Sequence, residues 1–204
     1  MKKIHTRRET TLDIDKKARL LELLQTYSFM TGEFVLASGR ISNYYFDFRA
    51  SASDPESIKL VGELFFEKIR DYGYHVDAIG GAIFGAAPMV TAVTIESYLR
   101  NSPLPGFYVR KEPKKYGTRN YIEGYIDPSR PLNILMIEDV ITTGGSILRA
   151  AQHLRESIPD CNILGILALL DRLEGGRENI EKAGFDLWTL FTIQELFDAQ
   201  NGDE

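Results

Sequence analysis

The sequence predicts an α/β fold: a central, mostly parallel sheet flanked by helices, with a small N-terminal hood subdomain. Three observations carry this. After Tyr74, short apolar runs at 76–80, 106–110, 133–137, 163–170 and 187–191 are separated in several places by helical patterns near 86–100, 145–157 and 176–183. Strands alternating with helices indicate βαβ units. The runs NILMI and ILGILALL are almost continuously apolar, as strands covered on both faces must be. Upstream of Tyr74 the texture differs, with two helical patterns and two short strands.

Taken in order, residues 1–10 carry five basic side chains and one acid and read as a solvated arm. A helix is expected from Asp15, its N-cap, with apolar residues at helical spacing towards Met30. Strands follow at 34–37 and 44–48, joined by the Ser/Gly turn SGRIS. Asp54-Pro55 opens a second helix, with a capping carboxylate and Pro at the first helical position. The alternating strands and helices come next. In such sheets ligands bind outside the carboxyl ends of the strands, so the residues just after each strand are the candidates.

Composition narrows the possibilities. The chain has 204 residues, 24 Lys+Arg and 29 Asp+Glu, a formal net charge of −5. That balance argues against non-specific nucleic-acid binding, although small anions respond to local charge. One cysteine, Cys161, excludes a disulfide framework and a multi-Cys zinc site. Three scattered histidines build no metal site by themselves. No apolar run approaches the ~20 residues that span a bilayer, and no signal-type stretch follows the basic N-terminus. The expectation is a cytoplasmic protein with no membrane or nucleic-acid partner. Trp188, Cys161 and His75 read as structural.

The strongest segment is ILMIEDVITTGGS, residues 134–146. A buried strand runs into two acids, Glu138 and Asp139. A loop of small and hydroxyl residues follows (Thr142, Thr143, Gly144, Gly145, Ser146), then a helix. The N–H groups and positive dipole end of that helix suit a phosphate. No Lys follows the glycines, so this is no Walker A loop, and it is no GxGxxG fingerprint. Two carboxylates would repel a bare phosphate but suit sugar hydroxyls. A plain capped helix start with two solvated acids is the competing reading. Gly80–Gly85 lies after another strand and before a helix, as either a second anion loop or an ordinary βα turn.

The 134–146 segment resembles the ribose-phosphate signature of type I phosphoribosyltransferases, which use 5-phosphoribosyl 1-diphosphate (PRPP). Three further segments narrow the resemblance to orotate phosphoribosyltransferases. FVLASGRISNYYFDFR is similar to their N-terminal segment, VRKEPKKYGTRNYIEG to their mobile catalytic loop, and LLDRLEGG to their base-recognition loop. Order and spacing agree, so the resemblance covers most of 34–176.

It implies a type I phosphoribosyltransferase-like fold, with residues 1–74 (arm, helices and hood strands) covering the base site. Residues 75–204 would form the PRPP-binding core, the whole being a single compact unit. The implied activity is transfer of ribose 5-phosphate from PRPP to orotate. A transferase for another base, or a non-catalytic PRPP-sensing regulator, are the alternatives. Arg110, Lys111 and Lys114 would contact pyrophosphate, Lys114 reaching across a homodimer interface into the neighbouring site. Glu138 and Asp139 would hold ribose hydroxyls, Thr142–Ser146 the 5-phosphate, and Gly80–Gly85 the pyrophosphate. Lys114 and Asp139 would carry the catalysis. Arg172 would bind the orotate carboxylate, for which a guanidinium fork is suited; a salt-bridged strand-end Arg is the alternative. Tyr45 and Phe46 would line the base site, as half-buried strand aromatics or as ligand contacts, with Thr142 nearby. Mg²⁺ would be held through substrate, with no dedicated protein ligand. Two departures stand out: Ala37 and Tyr116 occupy positions where some relatives carry Lys and many carry His; Tyr116 would still contact pyrophosphate through one hydrogen bond, while Ala37 is given no role.

Overall fold

The computed structural model describes residues 11–35, 39, 41–113, 121–127 and 129–201. Its centre is a six-stranded sheet of β3 (Ala78–Ala82), β4 (Gly106–Val109), β5 (Ile122–Gly124), β6 (Leu132–Ile141), β7 (Cys161–Asp171) and β8 (Leu187–Thr192). The order is β5-β4-β3-β6-β7-β8, and only the β4–β5 pairing is antiparallel. A separate hairpin, β1 (Phe29–Val35) and β2 (Ile41–Phe46), forms a two-stranded sheet.

Both faces of the large sheet are covered, which explains the continuous apolar runs. On β6, Leu135 and Ile137 join a cluster with Leu20 and Leu24 of α1 (Thr11–Tyr27) and Phe65 of α3 (Pro55–Asp71). Met89 of α4 (Ala87–Leu99) belongs to the same cluster. The alternate residues Ile134 and Met136 join the second cluster, with Ile147 of α5 (Gly145–Ser157) and Ile180 of α6 (Gly176–Lys182). Strand period two thus divides one apolar run between two layers. Trp188 is structural: a Cβ on Gly165 would lie 2.3 Å from its ring, so glycine lets the indole pack on the strand.

The α3 start follows its sequence signal, with Asp54 accepting a 2.8 Å bond from the Ser57 N–H and Pro55 in the first turn. Other boundaries moved. The first helix starts at Thr11, so Asp15 lies inside it rather than capping it. Phe29 and Met30 belong to β1, and Phe48 begins a short helix, α2 (Phe48–Ala52), capped by Asp47. The edge strand β5 and the final helix α7 (Ile193–Asn201) lacked a clear sequence pattern. Gly80 and Gly81 lie within β3 rather than in an anion loop. A Cβ there would meet the Phe107 ring at 2.3 Å and the Ile137 carbonyl oxygen at 2.1 Å, so these glycines serve strand packing.

Candidate active site

The candidate residues gather at the carboxyl ends of β3, β6 and β7. Glu138 and Asp139 lie within β6 rather than in the loop beyond it. Glu138 is 5 % exposed, and its Oε2 has no hydrogen-bond partner. Burial, reinforced by the Asp139 charge, pushes its carboxyl well above the usual range. Asp139 is half-buried, and its Oδ1 accepts a 2.9 Å bond from the Val140 N–H. Gly85 sits against it: a Cβ there would lie 2.4 Å from Oδ1, so only glycine lets this turn approach the carboxylate.

A raised folded-state pKa means the native protein binds the extra proton, so this group's contribution falls as pH rises from about 4.3, the unfolded value. Glu138→Gln removes the ionisation. The variant should melt above the wild type near pH 8, and the difference should vanish near pH 4. A pH-independent difference in melting temperature would refute the assignment.

Past β6 the chain turns through Thr142 and Thr143 into α5. Gly144 is its N-cap at φ 76°, and no side chain caps the helix. The first-turn N–H groups at Gly145 and Ser146 are therefore placed to receive an anion. Helix α6 braces this turn. Asn179 Nδ2 donates to the Thr143 carbonyl at 3.0 Å, and a Cβ on Gly176 would lie 2.6 Å from the Thr142 carbonyl oxygen.

Arg172 follows β7, its N–H bonded to the Ile141 carbonyl at 2.9 Å, which ties the ends of β6 and β7 together. Its side chain is 11 % exposed and lies 2.9 Å from Glu174 Oε1. Its Nε donates to the Tyr44 hydroxyl at 2.8 Å, and its guanidinium lies 4.6 Å from the Tyr44 ring centroid. Tyr44 thus reaches Arg172 from the hairpin, a role the sequence reading missed because the face each of residues 44–46 takes is set by the register with β1. Tyr44 and Phe46 are buried, while Tyr45 is only half-buried and packs on Phe34 at 5.7 Å between ring centroids. Adjacent strand residues face opposite sides, so Tyr45 and Phe46 do not line one surface together.

At the end of β4, Arg110 pairs with Glu123 of β5. Its N–H donates to the Tyr121 carbonyl at 2.8 Å, and Lys111 is exposed. Lys114, Lys115, Tyr116 and Arg119 lie outside the described residues, as does Ala37. Among the described residues, no group of three or more His, Cys, Asp or Glu could hold a metal ion, and no helix is long and apolar enough to cross a membrane.

No family model matches the chain. It is 41 % identical over 168 residues to the orotate phosphoribosyltransferase of Pyrococcus abyssi, covering 82 % of this chain and 87 % of that one. The same enzyme of Methanocaldococcus jannaschii is 41 % identical over 190 residues, covering 92 % of this chain and all of its own. Among solved structures, Mycobacterium tuberculosis orotate phosphoribosyltransferase in complex with PRPP superposes with a TM-score of 0.71 at 26 % identity. That match covers 89 % of this chain and 98 % of the other.

Proposed function

The chain belongs to the orotate phosphoribosyltransferase family, and from that premise we propose how its residues perform the reaction. The activity is a glycosyl transfer: PRPP and orotate give orotidine 5′-monophosphate and pyrophosphate, a step of pyrimidine nucleotide synthesis. The observation that carries the reading is Arg172, held beside the 142–146 turn by its bond to Ile141, so a carboxylate-binding fork adjoins a phosphate cradle. Loss of orotate absorbance, measured with and without PRPP and Mg²⁺, tests it. Consumption of purines or uracil in place of orotate would overturn the base assignment.

The N–H groups and hydroxyls of Thr142–Ser146 bind the 5-phosphate. Asp139 accepts from the ribose hydroxyls, with Glu138 behind it. As the bond from C1 to pyrophosphate oxygen breaks, positive charge develops on the ribose, and the Asp139 carboxylate stabilises it. Arg110, Lys111 and Lys114 receive the departing pyrophosphate, assisted by the backbone N–H groups of Phe84 and Gly85; the Ile83 N–H is held by the Val109 carbonyl at 3.1 Å. Arg110 leaves Glu123 to receive the pyrophosphate. With Glu138 buried, Asp139 is left as a half-buried carboxylate, which suits Mg²⁺ carried by substrate oxygens rather than by a dedicated protein ligand. When bound, the ion neutralises pyrophosphate charge. Residues 1–74 cover the base site, and 75–204 bind PRPP.

The functional unit is two copies, with Lys114 crossing into the neighbouring site. The outer face of α4 supports this: Ile95, Tyr98 and Leu99 are exposed there, and Phe84 lies just before the helix at 88 % exposure. Exposed apolar side chains at i, i+3 and i+4 of one helix, as Ile95, Tyr98 and Leu99 are, favour an interface there. The lone Cys161 agrees with a cytoplasmic setting.

Lys114→Ala should lower kcat by about 10²-fold, as expected for a lost charge on a leaving group, while the melting temperature stays within about 2 °C. Wild-type turnover would remove Lys114 from catalysis.

A further inference from the structure

We propose that Tyr44 is a positioning residue for the base, dictating the edge of the Arg172 guanidinium that receives the substrate carboxylate. The inference rests on the reading of Arg172 as the orotate-binding cation.

A guanidinium can take a carboxylate along either of two edges, one containing Nε and one formed by the two terminal nitrogens. Here the Nε edge is occupied. The Tyr44 hydroxyl accepts from Nε at 2.8 Å, and Glu174 Oε1 lies 2.9 Å from the same atom. The Tyr44 hydroxyl also donates to Glu174 at 3.4 Å, closing a three-membered polar cluster. Among the described residues the two terminal nitrogens of Arg172 make no hydrogen bond, so that edge is the one presented to a ligand.

Tyr44 is fixed in turn. Its ring meets Phe197 of α7 edge-on at 5.5 Å and Phe29 of β1 at 6.0 Å, and those two rings meet at 5.1 Å. The chain beyond Arg172 is also constrained. Leu173 takes φ 57°, rare for a non-glycine residue, and its N–H is held at 2.9 Å by the buried Asp171 carboxylate. The guanidinium plane therefore rests on an aromatic platform built from chain segments near residues 29, 44 and 197. Cation–π attraction holds the plane, and the hydroxyl prevents its rotation. Without the hydroxyl the fork turns more freely, and an incoming carboxylate must order it.

Tyr44→Phe separates the hydroxyl from the platform, because it keeps the ring and its packing. We expect the orotate KM to rise about tenfold, the scale of one lost hydrogen bond to a charged group. The PRPP KM and kcat should stay within about twofold. Tyr44 acts through Arg172, so in an Arg172→Ala background the same change should alter the orotate KM by less than about twofold. An unchanged orotate KM in the single variant overturns the proposal. So does an equal fold-change in both backgrounds, which would mean that Tyr44 acts without Arg172. A parallel loss in both KM values and melting temperature also overturns it, as a merely structural effect. If Arg172→Ala itself leaves the orotate KM unchanged, the assignment of Arg172 has failed, and the role of Tyr44 falls with it.

Discussion

Asp139→Asn is expected to lower kcat by about two to three orders of magnitude with little change in folding. Asparagine has the same shape, and its side-chain oxygen can still accept from the Val140 N–H, as Asp139 does at 2.9 Å. It can still occupy the space that Gly85 leaves open. What it loses is the negative charge facing a ribose that becomes cationic as pyrophosphate leaves. A preorganised charge in a partly desolvated site contributes far more than the same charge in water. The PRPP KM should change less than kcat, because the neutral ground-state ribose needs hydrogen-bond acceptors rather than charge. Turnover within about threefold of wild type would show that the Asp139 charge is not used in the transition state.

Arg172→Ala is expected to raise the orotate KM by about 100-fold, corresponding to roughly 2.7 kcal/mol, the scale of a paired charge-assisted hydrogen bond. The PRPP KM should stay near wild type, because the phosphate turn is built from α5 and β6. Two effects add. The substrate carboxylate loses its fork, and Glu174, 2.9 Å from Nε in the native site, loses this cation while remaining near the incoming anion. Steady-state kinetics with each substrate varied in turn decides the matter. Equal increases in both KM values would place Arg172 in the scaffold rather than in the base site.

Much of this site could be read from residues in line. The order of acids, hydroxyl residues and glycines in 138–146 marked a strand, turn and helix start as the candidate phosphate site, because these are local features. Arg172 was legible because it directly follows an apolar run that had to be a buried strand. Tyr44 was not legible. Three aromatics stand together at 44–46, and the face each takes depends on the pairing with β1, which contains a register shift between Thr31 and Phe34. A one-residue difference in register exchanges the faces. The glycines of β3 gave a similar ambiguity. A glycine that approaches a ligand and one that admits a neighbouring ring look alike until Phe107 is in place.

The charge balance shows the same division. A net charge of −5 appears ill-suited to an anionic substrate, yet the cations at Arg110, Lys111 and Arg172 follow strand ends. Their position after apolar runs was visible in sequence; their partners were not. By itself the sequence determined the layered α/β architecture, the helix start at Asp54-Pro55, the strand–turn–helix of 134–146 and the family resemblance. These depend on short-range periodicity and on residues a few positions apart. Only the tertiary structure decided that Glu138 is buried with an unpartnered oxygen, that Gly85 abuts Asp139, and that Tyr44 rather than Tyr45 engages Arg172. Each of those contacts joins segments distant in the chain or depends on strand register, and the packing of the whole sheet sets both.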